Sequence, residues 1–228
     1  MHGMDANLVW KQRLSNWACG ALTALVGLGT GGVVLAGYRA LSAHTWGTVP
    51  ATGLTFAFTF VALDLLYYSQ HRAEHRSKWL WAIHAVHHQA NLCDASVSLR
   101  TSMLAPLSVL TLHLVLALAG VPFETYFPAY LLHTALIFLL HSRTPRWLDR
   151  AGWVFNSPFL HRGHHSNHPR LRGKNLGGVF IVWDRAFGTF EPRCDDATGF
   201  GIGQRAAPLN PFTANFAPWR EAVNSAHR

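Results

Sequence analysis

Three short clusters of histidine are the feature that most constrains this chain. Within each cluster the rings stand three or four residues apart, which puts them on one face of a helix. Imidazole is the commonest metal ligand among protein side chains. The eight histidines are His71, His75, His84, His87, His88, His161, His164 and His165. Because eight nitrogen donors exceed what one tetrahedral ion takes, the pattern predicts a site for two metal ions.

The composition indicates a membrane protein. Of the 228 residues, 50% are apolar and only 13% are charged, whereas soluble domains carry about 25% charged residues. The length fits one domain. The net charge of +8 comes from basic residues that do not form one stripe, so no nucleic-acid partner is expected. Three scattered cysteines without a CxxC pair argue against a disulfide framework or a zinc–thiolate site.

Four apolar stretches predict four membrane-spanning helices, at residues 17–38, about 51–68, 103–121 and about 126–140. At about 1.5 Å per residue, the first three reach roughly 27 Å or more, near the thickness of a bilayer core. The alternative, a set of buried helices in a large soluble core, is disfavoured by the low charge content. The first stretch contains the segment GLGTGG, which we interpret as a close helix-packing surface rather than a phosphate-binding loop.

The distribution of Lys and Arg predicts the orientation of these spans. Lys11 and Arg13 precede the first span, four basic residues separate the second from the third, and twelve follow the fourth. The two remaining loops hold only Arg39. The positive-inside rule therefore puts the N-terminus, the histidine clusters and the C-terminal region in the cytoplasm. The expected fold is all-α, with four transmembrane helices and a cytosolic helical cap that carries a histidine-rich dimetal site.

Other polar residues near the clusters are candidates for the same site. Asp64 stands two helical turns before His71, and is expected either to accept a hydrogen bond from a ligand imidazole or to make a polar contact within the helix bundle. His141, at the cytoplasmic end of the fourth span, is predicted as a further ligand. His168 extends the last cluster, either as a ligand or as a partner of one. His133, in mid-span, is expected to pack or to hydrogen-bond between helices.

The donor set narrows the choice of metal and of chemistry. Imidazole suits iron, zinc or copper rather than magnesium or calcium. A carboxylate-bridged di-iron bundle needs ExxH pairs, and the glutamates of this chain supply none. The sequence contains no GxSxG elbow, phosphate loop or dinucleotide fingerprint.

In these residues the chain resembles the fatty acid hydroxylase and sterol desaturase superfamily of integral membrane histidine-box di-iron proteins. The resemblance covers roughly Leu54 to Glu191 and rests on DLLYYSQHRAEH, HAVHH, His141, PFLHRGHHSNHPR and NLGGVFIVWDRAFGTFE. It implies that the eight clustered histidines and His141 bind two non-haem irons, with zinc as an alternative ion and no catalytic residue beyond these ligands. The chain departs from the pattern at Ile137, where some relatives carry another histidine.

The resemblance also divides the chain into three parts. Residues 1–53 form an N-terminal segment with the first membrane anchor, residues 54–191 a fatty acid hydroxylase-like catalytic domain, and residues 192–228 a peripheral C-terminal tail. Within the second part, Asn175 and Asp184 are expected to hold the scaffold or to hydrogen-bond to ligand rings.

The activity that the resemblance implies is O2-dependent hydroxylation or desaturation of an unactivated lipid C–H bond. Electrons would come from a separate donor protein, because the sequence carries no flavin, haem or NAD motif. Two alternatives use the same histidines. A zinc-dependent membrane hydrolase needs a general base, and no HExxH pattern provides one. A metal transporter or sensor needs polar residues along its spans, which are apolar apart from Asp64, His113 and His133.

Overall fold

The helices of this protein carry nearly all of its regular structure. The structure, a computed structural model, describes residues 5–45, 47–142, 152–195, 199–203 and 205–224, and of residues 110–113 the backbone alone. The α-helices are α1 (Ala6–Ser42), α2 (Gly53–Glu74), α3 (Lys78–His88), α4 (Ala105–Leu118), α5 (Phe123–Leu139), α6 (Pro158–His164), α7 (Val182–Phe187) and α8 (Pro211–Asn224). Short 3-10 helices span Ala95–Leu99 and Pro169–Leu171. Within the described ranges the all-α prediction is confirmed, since the β-structure there consists of two isolated bridges.

The first helix is far longer than the apolar stretch that predicted it. The side chain of Asp5 caps its start by accepting the N–H of Asn7 at 3.2 Å. Its 37 residues rise about 55 Å. Among the described residues, α1 is the one helix that is both long and apolar enough to cross a membrane. Since α2, α4 and α5 have 22, 14 and 17 residues, the four-span arrangement stays a prediction.

The long helices pack in pairs, and Tyr38 of α1 and Tyr126 of α5 are in contact between them. α1 lies against α4, and α2 lies against α5 and α4. The Tyr38 hydroxyl donates to the carbonyl oxygen of Val121 at 2.8 Å. Its ring stacks on that of Tyr126, with centroids 4.8 Å apart. These contacts join α1 to the loop before α5 and to α5 itself, at the end of the bundle opposite the clustered histidines.

The glycine-rich segment of α1 does not pack closely, so the interpretation of GLGTGG as a close packing surface is wrong. A Cβ atom built at Gly29, Gly31 or Gly32 has nothing within 4 Å, and one at Gly27 makes only an ordinary contact with Pro106. The close approach lies two turns before this segment begins. At Gly20 a Cβ would come within 2.9 Å of the carbonyl oxygen of Leu99.

A buried arginine joins the helices at the histidine end. Arg100 is fully buried and donates to five acceptors, none of them a carboxylate. The acceptors are the carbonyl oxygens of Val86 and Pro208 and the side chains of Ser15, Asn16 and Gln89. One guanidinium therefore joins α1, α3 and the segment before α8. Because a buried polar group without a partner costs about 1–3 kcal/mol, this network fixes α3 against α1.

Candidate metal centre

Four separate segments bring the histidines together. α2 continues past its apolar part, so that His71 lies in its last turn and His75 caps its end. α3 starts at Ser77, whose hydroxyl accepts the N–H of Leu80, and carries the second cluster in its last turns. His141 lies just after the end of α5. α6 starts at Ser157 with a proline in its first turn and carries the third cluster. Each cluster is thus held at the C-terminal end of a capped helix.

The nine predicted rings converge in two adjacent groups. The first group is His71, His75, His84, His88 and His164, and the second is His87, His141, His161 and His165. Within each group one nitrogen from every ring lies within 4.8 Å of the others. The rings of His88 and His165 stack across the boundary with centroids 4.5 Å apart, so the two groups share a wall.

Hydrogen bonds at Nδ1 decide which nitrogen faces the centre. The Nδ1 atoms of His71, His164 and His87 donate to the carbonyl oxygens of Leu176, Lys174 and Arg100 at 2.7, 3.0 and 3.1 Å. A neutral imidazole has only one N–H, so in these rings Nε2 carries a bare lone pair. Second partners of this kind commonly orient the histidines of metal sites.

In one pair of rings, two bare nitrogens face each other at close range. His71 and His84 both use Nδ1 for oxygen acceptors, yet their Nε2 atoms lie 3.0 Å apart. With this pair included, seven Nε2···Nε2 distances within the groups run from 3.0 to 3.2 Å. Two nitrogens about 2.1 Å from one ion are about 3.0 Å apart at a right angle and about 3.4 Å apart at the tetrahedral angle. The spacing therefore fits ions with five or six ligands.

Burial keeps these rings neutral, which is the form that binds metal. It lowers the pKa of His75 to about 2 and that of His87 to about 4. It also lowers the pKa of the other seven rings, and neighbouring imidazoles lower it further. The Nε2 atom of His75 and the Nδ1 atoms of His141 and His161 are buried without a hydrogen-bond partner. The rings are neutral, two bare nitrogens face each other, and Nε2 of His75 is buried without a hydrogen-bond partner. These features together fit a pair of metal ions.

Sequence reasoning missed Glu74, although it stands inside the first cluster. Its Oε2 accepts a hydrogen bond from Nδ1 of His84 at 3.1 Å, and its Oε1 accepts one from the side-chain amide of Gln70 at 2.9 Å. Burial raises the pKa of Glu74. It forms no ExxH pair, because its partner His84 is ten residues away on the next helix. Its place in the HRAEH motif, one turn after His71, was the signal available.

Asn175 shapes the backbone that supports two of the rings. It lies between Lys174 and Leu176, whose carbonyl oxygens accept from the clustered histidines, and it has a left-handed φ of 54°. Its amide donates to the carbonyl oxygens of Leu160 and Glu191. Asn175 thus acts on the rings through the peptide groups on either side of it, in agreement with the scaffold role expected for it.

Asp184 supports the same segment from the other side. It is fully buried and accepts the backbone N–H groups of Leu176 and Gly177 at 2.8 and 2.7 Å, together with the hydroxyl of Thr189 at 2.6 Å. Its contacts are with the scaffold and not with a ring.

Asp64 accepts from α5 and from the loop before α7 rather than from a clustered ring. Its carboxylate receives Nε2 of His133 at 2.7 Å, the backbone N–H groups of Val179 and Phe180 at 2.6 and 3.0 Å, and the indole N–H of Trp183 at 2.8 Å. Of the two roles expected for Asp64, the structure shows the polar contact within the helix bundle. His113 is the other histidine in mid-span, and the structure does not describe its side chain.

His168 lies outside both groups. Its Nδ1 accepts the backbone N–H of Arg170 at 3.3 Å, which caps the second 3-10 helix. The last cluster ends α6 at His165, and the chain then turns away.

A cavity of about 310 Å³ opens beside the two groups, between α2, α4 and α5. Leu63, Leu66 and Ile137 are among the apolar residues that line it, and His71, His84 and His141 reach it from the groups. Gln70 and Ser108, 3.1 Å apart, add a polar patch to its wall. The cavity is thus mostly apolar and has imidazoles at one side.

The site lies in a region that matches a known protein family. The family profile described as fatty acid hydroxylase matches residues 56–189, which is more than half of the chain. The chain belongs to the fatty acid hydroxylase family. The superfamily resemblance read from the sequence is therefore confirmed. The match contains all nine gathered histidines as well as Glu74, Asn175 and Asp184.

Several curated relatives are similar over most of this family region. The alkylglycerol monooxygenase of Caenorhabditis elegans is 32% identical over 163 residues, 71% of this chain and 32% of the relative. That of Danio rerio is 35% identical over 143 residues, 62% of this chain and 31% of the relative. The ornithine lipid hydroxylase OlsE of Rhizobium tropici is 25% identical over 166 residues, 72% and 50% of the two chains. The chain spans about a third of the alkylglycerol monooxygenases it matches. No solved structure matches it significantly.

Proposed function

We propose that this protein is a membrane-bound, O2-dependent lipid hydroxylase that holds two non-haem irons. The observation that carries the proposal is the pair of imidazole groups beside an apolar cavity, in a member of the fatty acid hydroxylase family. The relatives' names agree, since they describe an alkylglycerol monooxygenase and an ornithine lipid hydroxylase. Desaturation is the alternative outcome at the same C–H bond.

The proposed ligands are the nine gathered histidines, five for one ion and four for the other. When bound, the iron pair would supply O2 activation and oxidation of an unreactive C–H bond, with electrons from a separate donor protein. The chain's own residues do the rest. Glu74 and the carbonyl oxygens of Lys174, Leu176 and Arg100 hold the protons on Nδ1, so that Nε2 is free to bind metal.

The proposed substrate is a lipid that enters the cavity laterally from the bilayer. Leu63, Leu66 and Ile137 would contact its hydrocarbon chain and keep water away from the reacting carbon. The polar patch at Gln70 and Ser108 would accommodate a polar group of the lipid. The histidines on one wall would then be close to a chain carbon.

The proposed topology has four spans, α1, α2, α4 and α5, with the histidine groups at the cytoplasmic side. Its support is the large apolar side chains that these helices expose, Leu28 (80% exposed), Phe58 (67%), Val115 (50%) and Leu131 (51%). A soluble protein would bury such residues. The proposed division of the chain is an anchor segment at 1–53, a catalytic domain at 54–191 and a tail at 192–228.

The test is metal content and turnover of the purified protein. We expect about two irons per chain and consumption of O2 that depends on both a reductant and a lipid. His88→Ala and His164→Ala each remove a member of the first group and should abolish metal binding and activity. His168→Ala and His44→Ala are the matched controls, because these rings lie outside both groups, and they should retain both properties.

The same assay separates the two alternatives. Lipid hydrolysis that continues without O2 and reductant, in a zinc-containing protein, would replace the proposal with a hydrolase. Metal flux into vesicles, without lipid turnover, would replace it with a transporter. Full activity of the His88 or His164 variant would refute the ligand assignment.

A further inference from the structure

The last helix, α8, has three distinct faces. Its first face packs against the protein and contains Ala214, Asn215, Pro218 and Ala222. A second face is polar and exposed, with Thr213, Arg220 and Asn224, and Glu221 lies at its edge and pairs with Arg205. An amphipathic helix that only covers a protein surface needs two faces, one buried and one polar.

The third face of α8 is apolar and exposed. It consists of Phe212, Phe216, Trp219 and Val223. Their spacing of four, three and four residues puts them on one stripe. Phe212, Phe216 and Val223 are 55%, 48% and 44% exposed. Trp219 stacks on Trp79, which is itself 46% exposed and extends the apolar surface onto α3.

Contacts on the buried face fix the level of α8 along the bundle. Ala214 packs with Cys19 of α1 and Val86 of α3. The Oδ1 atom of Asn215 accepts the backbone N–H of Met103 at 2.8 Å. Cys19 is in the first turn of the first apolar stretch, and Met103 begins the third. α8 therefore lies at the level where two proposed spans, the first and the third, begin.

We propose that α8 lies in the cytoplasmic interface of the membrane, with its apolar face in the acyl chains of that leaflet. The occupant of this face is lipid, because the contacts of Ala214 and Asn215 hold α8 at the level where two proposed spans begin. At the same level α1 exposes Leu14 and Trp17, which are 56% and 47% exposed on its side away from Cys19. Tryptophan and phenylalanine favour this depth. Arg220 on the polar face suits anionic headgroups. The inference rests on the proposed topology and concerns a helix outside the 56–189 family match.

The experiment measures the depth of single nitroxide labels on the full-length protein in lipid nanodiscs. Phe216→Cys reports the apolar face, and Asn224→Cys, on the exposed polar face, is its matched control. Leu28→Cys, on the most exposed leucine of α1, reports whether the first span is in lipid. The native cysteines are buried, and the unmutated protein gives the labelling background. Collisions with O2 report lipid, and collisions with a water-soluble nickel chelate report water.

We expect the label at residue 216 to shift toward O2 accessibility, as at residue 28, and the label at residue 224 to favour the nickel chelate. Water accessibility at both 216 and 224, with residue 28 in lipid, would overturn the inference and leave the topology intact. A label at 216 shielded from both reagents would overturn it in favour of a protein partner. Water accessibility at residue 28 would overturn the topology and the inference together.

Discussion

The carboxylate of Asp64 and Nε2 of His133 meet at 2.7 Å between α2 and α5, where both side chains are buried. The same carboxylate receives three N–H groups of the segment 179–183. This segment follows Leu176, whose carbonyl oxygen orients His71. One acid inside the bundle therefore connects two long helices to the backbone that supports the candidate metal centre.

Replacing Asp64 with Asn should disrupt this connection. The amide retains one oxygen but turns an N–H₂ group toward donors that need an acceptor, so we expect a loss of stability on the order of 3 kcal/mol. We also expect less iron per chain. Thermal unfolding in detergent and metal analysis measure the two effects. Glu124→Gln, an exposed acid at the start of α5, is the control, and equal behaviour of the two variants would contradict the prediction.

Glu74→Gln should weaken metal binding without unfolding the protein. The glutamine oxygen still accepts Nδ1 of His84, but it has no charge to make that ring more basic. Loss of such a partner typically costs 10–100-fold in metal affinity. Competition with a chelator measures the change. Glu221→Gln, an exposed acid in α8, should leave the affinity as it is; unchanged affinity in the Glu74 variant would remove that residue from the centre.

Gly178→Ala should harm both stability and metal content. A Cβ at this position would stand 2.5 Å from Oδ1 of Asp64 and 2.9 Å from the ring of Tyr67, so the loop must move away from α2. Gly53→Ala is the control, because a Cβ there has nothing within 4 Å. We expect a lower unfolding temperature for the first variant and no decrease for the second.

The cysteines should resist alkylation in the folded protein. Burial raises the pKa of Cys93 to about 11 and that of Cys194 to about 12. At pH 8 only about one Cys93 thiol in a thousand is then ionised, against roughly a quarter for an exposed thiol. Iodoacetamide labelling followed by mass spectrometry should show a rise of at least about 100-fold on unfolding. Fast labelling of the native protein would show that these thiols are accessible.

Ile137→Trp should shorten the lipid that the protein accepts. Ile137 lines the cavity near His141, so a larger side chain fills space that a hydrocarbon chain would use. We expect turnover of long chains to fall relative to short ones while iron content stays constant. Leu139→Trp, at a position 54% exposed on the outside of α5, is the control. A parallel loss for all chain lengths would argue against this cavity as the lipid site.

The spacing of the histidines predicted which rings of a cluster share a helix face, since ring positions on a helix follow directly from its period. His141 was predicted from its place at the end of the fourth apolar stretch instead, and His168, which the spacing also allowed, lies outside both groups. The period also put Asp64 on the face of His71, but it says nothing about the neighbouring helix. His133 of α5 lies closer and takes the carboxylate. The supporting carbonyl oxygens of Lys174 and Leu176 were beyond prediction for a similar reason, because every residue has a carbonyl and only the fold selects two of them.

The two imidazole groups collect their members from residues 71 to 165, and the carbonyl oxygen of residue 176 orients His71 of the first group. Biosynthesis must therefore release the chain at least to that point before the first ion has a complete site. A finished chain without its ions would hold the bare Nε2 atoms of His71 and His84 against each other. We expect iron starvation to enlarge the pool of such chains and to direct it to degradation by membrane proteases, so that iron supply sets the abundance of the protein as well as its activity.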